Sequence, residues 1–512
     1  MKNRLSDIFF SYPKTFAFLL GSLMVQALPP FYHTSLLFIA LSGLLYLIHN
    51  SSSPKKAFIS GFSFGFGFFA FGLSWIDNAL LISPSETGWL IPIVFLASGA
   101  FFGLFIGIPA YFTKRFSSVL FAQYLSFGAW WVIFEWIRSW ILTGFPWNML
   151  CSGLNFNLEA MQIAAIIGSY GLSLITYLIS AAPCLWLCRP TKRNAVISLT
   201  IIVLLSVVLC GFGYYRLKNM DETPSSTVIR LVQPSIPQSI KWSPDLQIEH
   251  FQKHLDLTAS APIENIAMTI WGETASPYPL DINEDARNKL IANTFGHYLT
   301  AGVIRYENNY YGGWNAYNSA LVLNADGIIE DFYDKTHLVP FGEYIPLRQY
   351  LPQSIRPIAD IISNLKFGSG HKIIKLKDIP PFGIQICYEI IFPHQIINPQ
   401  DKPDWLINLT NDGWYGISAG PYQHFESARL RAVEEGLTIV RVAGSGISAL
   451  INPFGKTINH LDLGEIGILD ISLPQTPQIK TLYNTFGNWT ALLLCLLCLI
   501  AAKIINEKYY FL

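Results

Sequence analysis

The chain carries the run FGIQICYEIIFP at residues 382–393, in which a short apolar stretch leads directly into a cysteine. Its first part, FGIQIC (382–387), has the composition of a buried strand. Cys387 is the only cysteine between residues 219 and 480, so this region cannot contain a disulfide framework. A lone thiol at a strand end is either a buried structural cysteine or a nucleophile, and the surrounding sequence has to decide.

Similar apolar runs recur on both sides of Cys387 and predict an α/β layered domain over residues 219–480. Two amphipathic segments, 283–295 and 422–435, predict helices between the strands. The predicted strands are VIRLVQ (228–233), IAMTIW (266–271), LTAGVI (299–304), SALVLN (319–324), FGIQIC (382–387), DWLINL (404–409), LTIVRV (437–442) and GISALI (446–451).

The composition of the rest of the chain indicates a membrane protein. The 512 residues are 51% hydrophobic and only 13% charged, whereas soluble domains carry about 25% charged residues. This excludes a disordered chain, a basic nucleic-acid binder and a fibrous repeat. The charges are uneven, since only 18 of the 68 lie before residue 219. We therefore expect a membrane part followed by a water-soluble part.

Eight segments are long and apolar enough to be predicted as membrane spans. The boundaries predict a seven-span domain at 1–218, the extracytoplasmic domain at 219–480, and an eighth span with a cytoplasmic tail at 481–512. The predicted spans lie near residues 14–30, 33–49, 57–78, 88–112, 118–142, 159–187, 194–214 and 486–504.

The basic residues predict the orientation of these spans, because Lys and Arg in short loops stay in the cytoplasm. They cluster before the first span and in every second connection: Lys2 and Arg4, Lys55 and Lys56, Lys114 and Arg115, and Arg189, Lys192 and Arg193. Both termini are then cytoplasmic, and residues 219–480 lie outside.

Two further residues complete a plausible site around Cys387. A cysteine nucleophile acts as thiolate and needs a proton acceptor and a nearby cation, and its tetrahedral intermediate needs donors for the oxyanion. Glu273 in WGETASP (271–277) and Lys335 in YDKTHLVPFGEYIP (333–346) both follow predicted strands. Taken singly, each motif is weak, because such residues are commonly solvated.

The order Glu273, Lys335, Cys387, with gaps of 62 and 52 residues, resembles the carbon–nitrogen hydrolase (nitrilase) superfamily, whose fold is an αββα sandwich. With seven spans before and one after, the whole chain resembles the apolipoprotein N-acyltransferase family. One local departure is Gly272, where the family pattern has proline. Further matching motifs are LTGFPWN (142–148), LVQPSIPQSIKW (231–242), INLTNDGWYG (407–416), GPYQHFESARLRAVEEG (420–436) and NPFG (452–455).

The resemblance implies a role for each matching residue. Cys387 would be the nucleophile that carries the acyl chain as a thioester, Glu273 the general base, and Lys335 the group that stabilises the oxyanion. Supporting positions are Glu343, Tyr388 and Glu389, and substrate-binding positions are Trp242 and Trp414. We expect neither a metal nor another cofactor.

The resemblance also implies the substrates. A phospholipid, mainly phosphatidylethanolamine, would give its sn-1 acyl chain to Cys387. The N-terminal cysteine α-amine of an S-diacylglyceryl lipoprotein would then take the chain, giving the triacylated product. The protein would be a monomer in the bacterial inner membrane with a periplasmic catalytic domain, and it would bind no nucleic acid.

Two other readings remain open at this stage. One is a membrane-tethered amidase or nitrile hydrolase of the same superfamily, acting on a soluble substrate with water as second nucleophile. The other is a transporter or lipid-binding protein in which Cys387 is dispensable; the intramembrane pair Glu135 and Arg138 is the feature that favours it. That pair either binds lipid head groups or fixes helix packing. We interpret Asn408, Asp412 and His424 as structural, and segment 343–369 as a lid.

Overall fold

The computed structural model describes residues 11–218, 220, 223–262, 265–294, 297–309, 313–350, 365–475 and 478–510. These residues form two units. A helical unit contains the described residues of 1–77, 85–219 and 481–512, and an α/β unit contains those of 78–84 and 220–480. The segment interpreted as a lid, 343–369, lies largely outside the described residues, because 351–364 are not among them.

The helical unit is built from long apolar helices. The third of them begins with Ser53, whose side chain accepts from the Lys56 amide, followed by Pro54 at the first helical position, and both residues favour a helix start. The helices are α1 (Pro13–Met24), α2 (Ser35–Asn50), α3 (Pro54–Gly72), α4 (Ile91–Phe116), α5 (Leu120–Arg138), α6 (Ala164–Ala181) and α7 (Lys192–Lys218), with a C-terminal helix at Trp489–Tyr510.

Glycines bring α3 and α4 into close backbone contact. A Cβ atom on Gly65 would lie 2.9 Å from Cα of Gly103, and one on Gly61 would lie 2.8 Å from the carbonyl oxygen of Ile106. Neither side chain could be added without moving the partner helix. Helices in apolar surroundings pack through small residues in this way.

Five segments of the described chain are long and apolar enough to cross a membrane, so the structure supports five of the eight predicted spans. The other three correspond to α1 and α2, which have 12 and 16 residues, and to α5, which contains Glu135 and Arg138. The count of eight therefore stays a prediction. The five segments are Pro54–Leu80, Pro84–Phe116, Ala164–Cys188, Lys192–Lys218 and Trp489–Lys508.

The α/β unit contains twelve strands among its described residues, and they form two six-stranded sheets in the orders β12-β1-β2-β3-β4-β5 and β11-β10-β9-β8-β7-β6. Strands β1 to β3 are parallel, as are β7 to β9, and the other neighbours are antiparallel. The strands are β1 (Pro224–Gln233), β2 (Ile266–Trp271), β3 (Tyr298–Asn308), β4 (Trp314–Leu323), β5 (Ile329–Asp334), β6 (Ile373–Leu376), β7 (Ile379–Ile386), β8 (Trp405–Thr410), β9 (Thr438–Ala443), β10 (Ser448–Ile451), β11 (Thr457–Leu461) and β12 (Gly467–Pro474).

The core of this unit lies between the two sheets, because alternate residues of each strand point to one face. The first sheet contributes Ile229, Leu231, Met268 and Ile270, and the second contributes Ile384, Ile386, Ile407, Leu409, Val440 and Val442. All of them are buried, and each contributes about 1.5–3 kcal/mol relative to an exposed side chain.

Helices cover the outer faces of both sheets. Helices α8 (Gln247–Thr258) and α9 (Glu284–Thr294) pack on the first sheet, and α10 (Ala419–Glu435) packs on β9 of the second. The outer core on the first sheet includes Val232, Phe251, Leu255, Trp271 and Leu290. The order helix, sheet, sheet, helix confirms the predicted α/β sandwich.

Candidate active site

The three predicted catalytic residues each follow a strand of the α/β unit. Lys335 comes directly after β5 of the first sheet, and Cys387 comes directly after β7 of the second. Glu273 follows β2 of the first sheet, with Gly272 between them. Strands β2 and β5 run in the same direction, because β3 is parallel to β2 and two antiparallel steps separate it from β5. Glu273 and Lys335 therefore emerge at the same edge of the first sheet.

Lys335 lies between two carboxylates. Its Nζ donates to Oε1 of Glu273 at 3.2 Å and to Oε1 of Glu343 at 3.0 Å. Nδ2 of Asn318 donates to the same two oxygens, at 2.8 Å each. The other oxygen of Glu343 accepts from the Val339 amide at 2.8 Å. Two donors on each shared oxygen hold the carboxylates and the ammonium in one arrangement.

The two neighbouring carboxylates keep Lys335 protonated. Its side chain is only 1% exposed, and burial alone would lower its pKa, but Glu273 and Glu343 outweigh burial and raise the pKa above its usual value. Lys335 is therefore protonated at every pH at which the protein would work. A permanent cation at this position can stabilise negative charge that develops on a substrate oxygen.

Cys387 has an unusual backbone conformation. Its φ angle is +51°, in the left-handed region that costs about 1–3 kcal/mol for a residue with a side chain. It begins a tight helical turn, Cys387–Ile391, immediately after β7. Such local strain is common at catalytic nucleophiles, since the surrounding structure must hold the reactive group in place.

The Cys387 thiol is protonated in the resting site. Burial and then the charge of Glu273 raise its pKa to about 12, against the opposing effects of Lys335 and of a hydrogen bond with Thr410. Because the thiolate is the nucleophile, the reaction needs a base to remove this proton. The charge of Glu273 acts on the thiol, which makes its carboxylate the candidate base.

Glu389 holds the turn that carries Cys387. Its Oε2 accepts from the Ile386 amide at 2.6 Å. Its Oε1 accepts from the amides of Thr336 at 2.6 Å and His337 at 3.0 Å, and from the Tyr333 hydroxyl at 2.9 Å. One buried carboxylate thus joins the ends of β5 and β7.

Tyr388 contributes an aromatic wall beside this turn. Its ring centroid lies 5.6 Å from that of His337 and 5.1 Å from that of Phe392, and the side chain is buried. Burial raises the pKa of its hydroxyl well above the usual value. Tyr388 is therefore neutral and offers the site a largely apolar surface.

The two predicted substrate-binding tryptophans are half-buried, unlike the catalytic residues. Trp414 belongs to the helical turn Asp412–Tyr415 after β8. The indole ring of Trp242 lies 5.7 Å from Nζ of Lys241. Among the described residues, neither side chain is hydrogen-bonded to Glu273, Lys335 or Cys387, so contact with substrate is a proposal for both.

Sequence reasoning missed Lys241 and Asn318. Nζ of Lys241 donates to the carbonyl oxygen of Glu273 at 3.1 Å and to Oγ1 of Thr274 at 2.9 Å. Burial lowers its pKa to about 8, although Glu273 and Cys387 act against that change. Lys241 precedes Trp242 in the motif LVQPSIPQSIKW (231–242), whereas Asn318 directly precedes the predicted strand SALVLN (319–324), where no local pattern indicates a polar role.

Three residues interpreted as structural lie directly behind the nucleophile. His424 Nε2 is 3.1 Å from the carbonyl oxygen of Cys387, and its Nδ1 is 2.7 Å from Oδ1 of Asp412. Nδ2 of Asn408 donates to the Gln385 carbonyl at 3.2 Å. Within the described ranges, no group of three or more His, Cys, Asp or Glu side chains could hold a metal ion.

Glu135 and Arg138, the charged pair of α5, make buried contacts within the helical unit. Oε1 of Glu135 accepts from Nε1 of Trp131 at 3.0 Å and from the Leu150 amide at 2.8 Å. The guanidinium carbon of Arg138 lies 4.8 Å from the centre of the Phe69 ring. These buried contacts tie α5 to the segment around residue 150 and to α3, which favours a role in packing.

Two stacked sheets with Glu273, Lys335 and Cys387 at their strand ends define an enzyme of the carbon–nitrogen hydrolase class, and the family model described as carbon-nitrogen hydrolase matches residues 229–480. A second model, apolipoprotein N-acyltransferase N-terminal domain, matches residues 20–182. The chain belongs to the apolipoprotein N-acyltransferase family.

Relatives of nearly equal length support this assignment. An apolipoprotein N-acyltransferase of Rhodopseudomonas palustris is 34% identical over 498 residues, covering 93% of this chain and 92% of that one. One of Rickettsia typhi is 34% identical over 94% of this chain and 96% of its own. Among solved structures, an amidase from Nesterenkonia sp. AN1 has 16% identity and a TM-score of 0.36, and covers 49% of this chain and 92% of that one.

Proposed function

We propose that this chain transfers an acyl chain in two steps through Cys387. The donor is the sn-1 ester of a phospholipid, mainly phosphatidylethanolamine, and the acceptor is the N-terminal cysteine α-amine of an S-diacylglyceryl lipoprotein. The observation that carries the mechanism is the buried ammonium of Lys335, which lies between Glu273 and Glu343. Its charge opposes the rise in the pKa of the Cys387 thiol.

In the first step, the Glu273 carboxylate takes the thiol proton as the sulfur attacks the ester carbonyl carbon. The negative charge that develops on the carbonyl oxygen faces the Lys335 ammonium. The carbon–oxygen bond to glycerol then breaks, and Glu273 returns its proton to the leaving oxygen. The products are an acyl thioester on Cys387 and a lysophospholipid.

In the second step, the lipoprotein amine attacks the thioester carbonyl carbon. Glu273 takes a proton from the attacking nitrogen, Lys335 again stabilises the oxyanion, and the carbon–sulfur bond breaks. Glu273 then gives the proton to the leaving sulfur. This restores the thiol and releases the amide product.

The remaining predicted residues support this chemistry. Glu343 holds Lys335 through the hydrogen bond to its Nζ, and Glu389 holds the turn of Cys387. Tyr388 lines the acyl pocket beside Phe392, while the half-buried Trp242 and Trp414 contact the incoming substrates. Exclusion of water favours the amine over hydrolysis of the thioester.

The membrane domain brings the site to its substrates. We propose seven spans in residues 1–218, a periplasmic catalytic domain at 219–480, and an eighth span in 481–512, with both termini in the cytoplasm. The alternation of basic loops supports this orientation, and five of the segments are apolar and long enough to span. Both substrates are anchored in the bilayer, so a tethered site meets them in two dimensions. We propose that the protein acts as a monomer in the bacterial inner membrane.

Mass spectrometry of the acylated enzyme tests the proposal. The purified chain is incubated with phosphatidylethanolamine alone, and we expect one added fatty acyl group on the Cys387 peptide together with lysophospholipid. Cys387→Ala should show neither product while keeping the thermal stability of the wild type. An unmodified Cys387 peptide without lysophospholipid contradicts the thioester mechanism. Release of free fatty acid in place of transfer to an added lipopeptide amine would support the amidase reading instead.

A further inference from the structure

Behind the nucleophile, four buried side chains form a continuous series of contacts that ends on the backbone of Cys387. Nη2 of Arg441 donates to Oδ2 of Asp412 at 2.7 Å. Oδ1 of Asp412 lies 2.7 Å from Nδ1 of His424, and Nε2 of His424 lies 3.1 Å from the carbonyl oxygen of Cys387. Nη1 of Arg441 also donates to Oδ1 of Asn408 at 2.5 Å.

These side chains come from two strands of the second sheet, the turn after one of them, and a helix that packs on the sheet; Asn408 lies within β8. Asp412 follows β8, Arg441 lies within β9, and His424 lies within α10, which packs on β9. His424 and Arg441 are 0% exposed, and Asp412 is 1% exposed. A set of contacts buried to this degree has a single arrangement, since each polar atom must keep its partner.

The contact of His424 is made to the backbone of Cys387, which has a strained conformation. Cys387 has a φ angle of +51°, and such a conformation persists only where the surroundings hold it. A carbonyl oxygen only accepts hydrogen bonds, so the contact to His424 uses a proton on Nε2. Burial and the Arg441 guanidinium outweigh Asp412 and the Cys387 carbonyl and lower the pKa of His424 overall, so the ring is neutral. With its single proton on Nε2, its Nδ1 accepts from Nη2 of Arg441 at 3.2 Å.

We propose that His424 is a positioning residue for the reaction: its Nε2 proton holds the carbonyl of Cys387 and thereby sets the direction of the thiol, while Arg441, itself held by Asp412, orients the imidazole ring. The proposal deepens the function proposed above and depends on Cys387 being the nucleophile. His424 does not touch the substrate. Its effect reaches the sulfur through the backbone of Cys387.

A tight packing contact supports the same arrangement. A Cβ atom on Gly446 would lie 2.2 Å from Oδ2 of Asp412 and 2.8 Å from its Cβ. The loop after β9 therefore packs directly against the carboxylate that holds Arg441 beside His424. Asp412 cannot turn away from the ring without moving this loop.

Two amide substitutions separate positioning from folding. His424→Gln places its amide nitrogen near the former Nε2 and can still donate to the Cys387 carbonyl. His424→Asn places its amide near the former Nδ1, keeps a partner for Asp412, and does not reach that carbonyl. Both replacements are polar and of similar size, so they share most of any cost to the fold.

The full-length variants are compared in two assays on the Cys387 peptide: acylation by phosphatidylethanolamine and alkylation by iodoacetamide. We expect His424→Asn to slow acylation by about 10²-fold, as misplacement of a reacting group by about 1 Å does, and to slow alkylation as well. His424→Gln should recover most of both rates. The alkylation assay does not depend on acyl transfer, so failure of the wild type to acylate would contradict the proposed function and leave the positioning test intact.

A buried histidine elsewhere in the unit serves as control. His297 is buried and makes a 2.8 Å contact with Oγ1 of Thr269, and it precedes β3, at the end of the sheet away from the site. His297→Asn should lower the melting temperature without slowing either reaction per folded molecule. Equal rates in the Gln and Asn variants of His424, or losses that only match the loss of folded protein, would overturn the proposal.

Discussion

Lys335 is the residue on which the charge balance of the site depends. It is the ammonium shared by the buried carboxylates of Glu273 and Glu343. Its removal would leave two negative groups in a desolvated place, and breaking one partner of a buried pair costs about 3–5 kcal/mol. Its effect on catalysis is separate, because it also faces the oxyanion in the proposed mechanism.

Lys335→Met is therefore expected to reduce acylation of Cys387 by about 10²–10³-fold and to destabilise the fold. The measurements are single-turnover acylation followed by mass spectrometry and unfolding in urea. Lys372→Met is the matched control, since Lys372 pairs with Asp331 but is 47% exposed, and exposed pairs contribute about 0–1 kcal/mol. Similar losses in both variants would contradict the special role of Lys335.

The protonated state of Cys387 gives a prediction for pH. Its pKa is raised to about 12, whereas a free cysteine has a pKa of about 8.5. Below the pKa, the thiolate fraction rises tenfold per pH unit, so alkylation by iodoacetamide should rise about tenfold per unit across the range in which a free thiol levels off. Peptide mass spectrometry measures the rate at Cys387, with glutathione as reference. A plateau near or below pH 8.5 would show that the thiol pKa is not raised.

At the scale of elements, the close approach of β3 to the segment after β2 fixes the position of Glu273. Gly302 in β3 lies directly under the segment that follows β2. A Cβ atom on Gly302 would be 2.3 Å from the Gly272 carbonyl oxygen and 2.7 Å from Cα of Glu273. The segment must move if any side chain is added there.

Gly302→Ala should therefore displace Glu273 and slow acylation by about 10²-fold, with a loss of stability of about 1–3 kcal/mol from overpacking. The control is Gly467→Ala in β12 of the same sheet, where the nearest atom to an added Cβ is Leu461 Cδ2 at an ordinary 3.7 Å. The acylation rate per folded molecule is measured for both variants, and only Gly302→Ala should be slower than the wild type. A wild-type rate in Gly302→Ala would disprove the effect on Glu273.

The strands that sequence patterns predicted are the buried ones. IAMTIW (266–271) coincides with β2, and the other seven predictions overlap β1, β3, β4 and β7 to β10. Four strands were not predicted: β5, β6, β11 and β12. In β5 the outward positions are exposed, and most of β11 is exposed, so neither carries the apolar run that marks a buried strand.

The site was predictable only where local motifs exist. Glu273, Lys335 and Cys387 each sit in a recognisable context at a strand end, and the structure places Glu273 beside Lys335. Asn318 is 45 residues from Glu273 and 25 from Glu343, and His424 is 37 from Cys387. Contacts over such separations depend on the register of the sheets, which no local pattern contains. Turns and helix caps commonly use residues such as Asp412 and His424, so the sequence predicts a structural role for them and does not predict their place behind the nucleophile.

For the whole molecule, the proposed topology makes opposite predictions for two exposed positions. Ile417 is 96% exposed in the α/β unit, and Lys55 is exposed at the start of α3. With Cys210 replaced by Ser, a membrane-impermeant maleimide should label Ile417→Cys in intact spheroplasts and leave Lys55→Cys unlabelled until the membrane is opened. Labelling in the reverse order would invert the assigned orientation.

The pairing of β1 with β12 also has a consequence for biosynthesis. The first strand of the α/β unit has the last one as its neighbour, joining residues 224–233 to 467–474. The first sheet therefore lacks its strand β12 until almost the whole domain has been synthesised and, in the proposed topology, has crossed the membrane. A truncated chain would carry Cys387 without a completed sheet to hold Glu273 and Lys335. We therefore expect the acylation site to be complete only when the chain is nearly finished, after β12 has paired with β1.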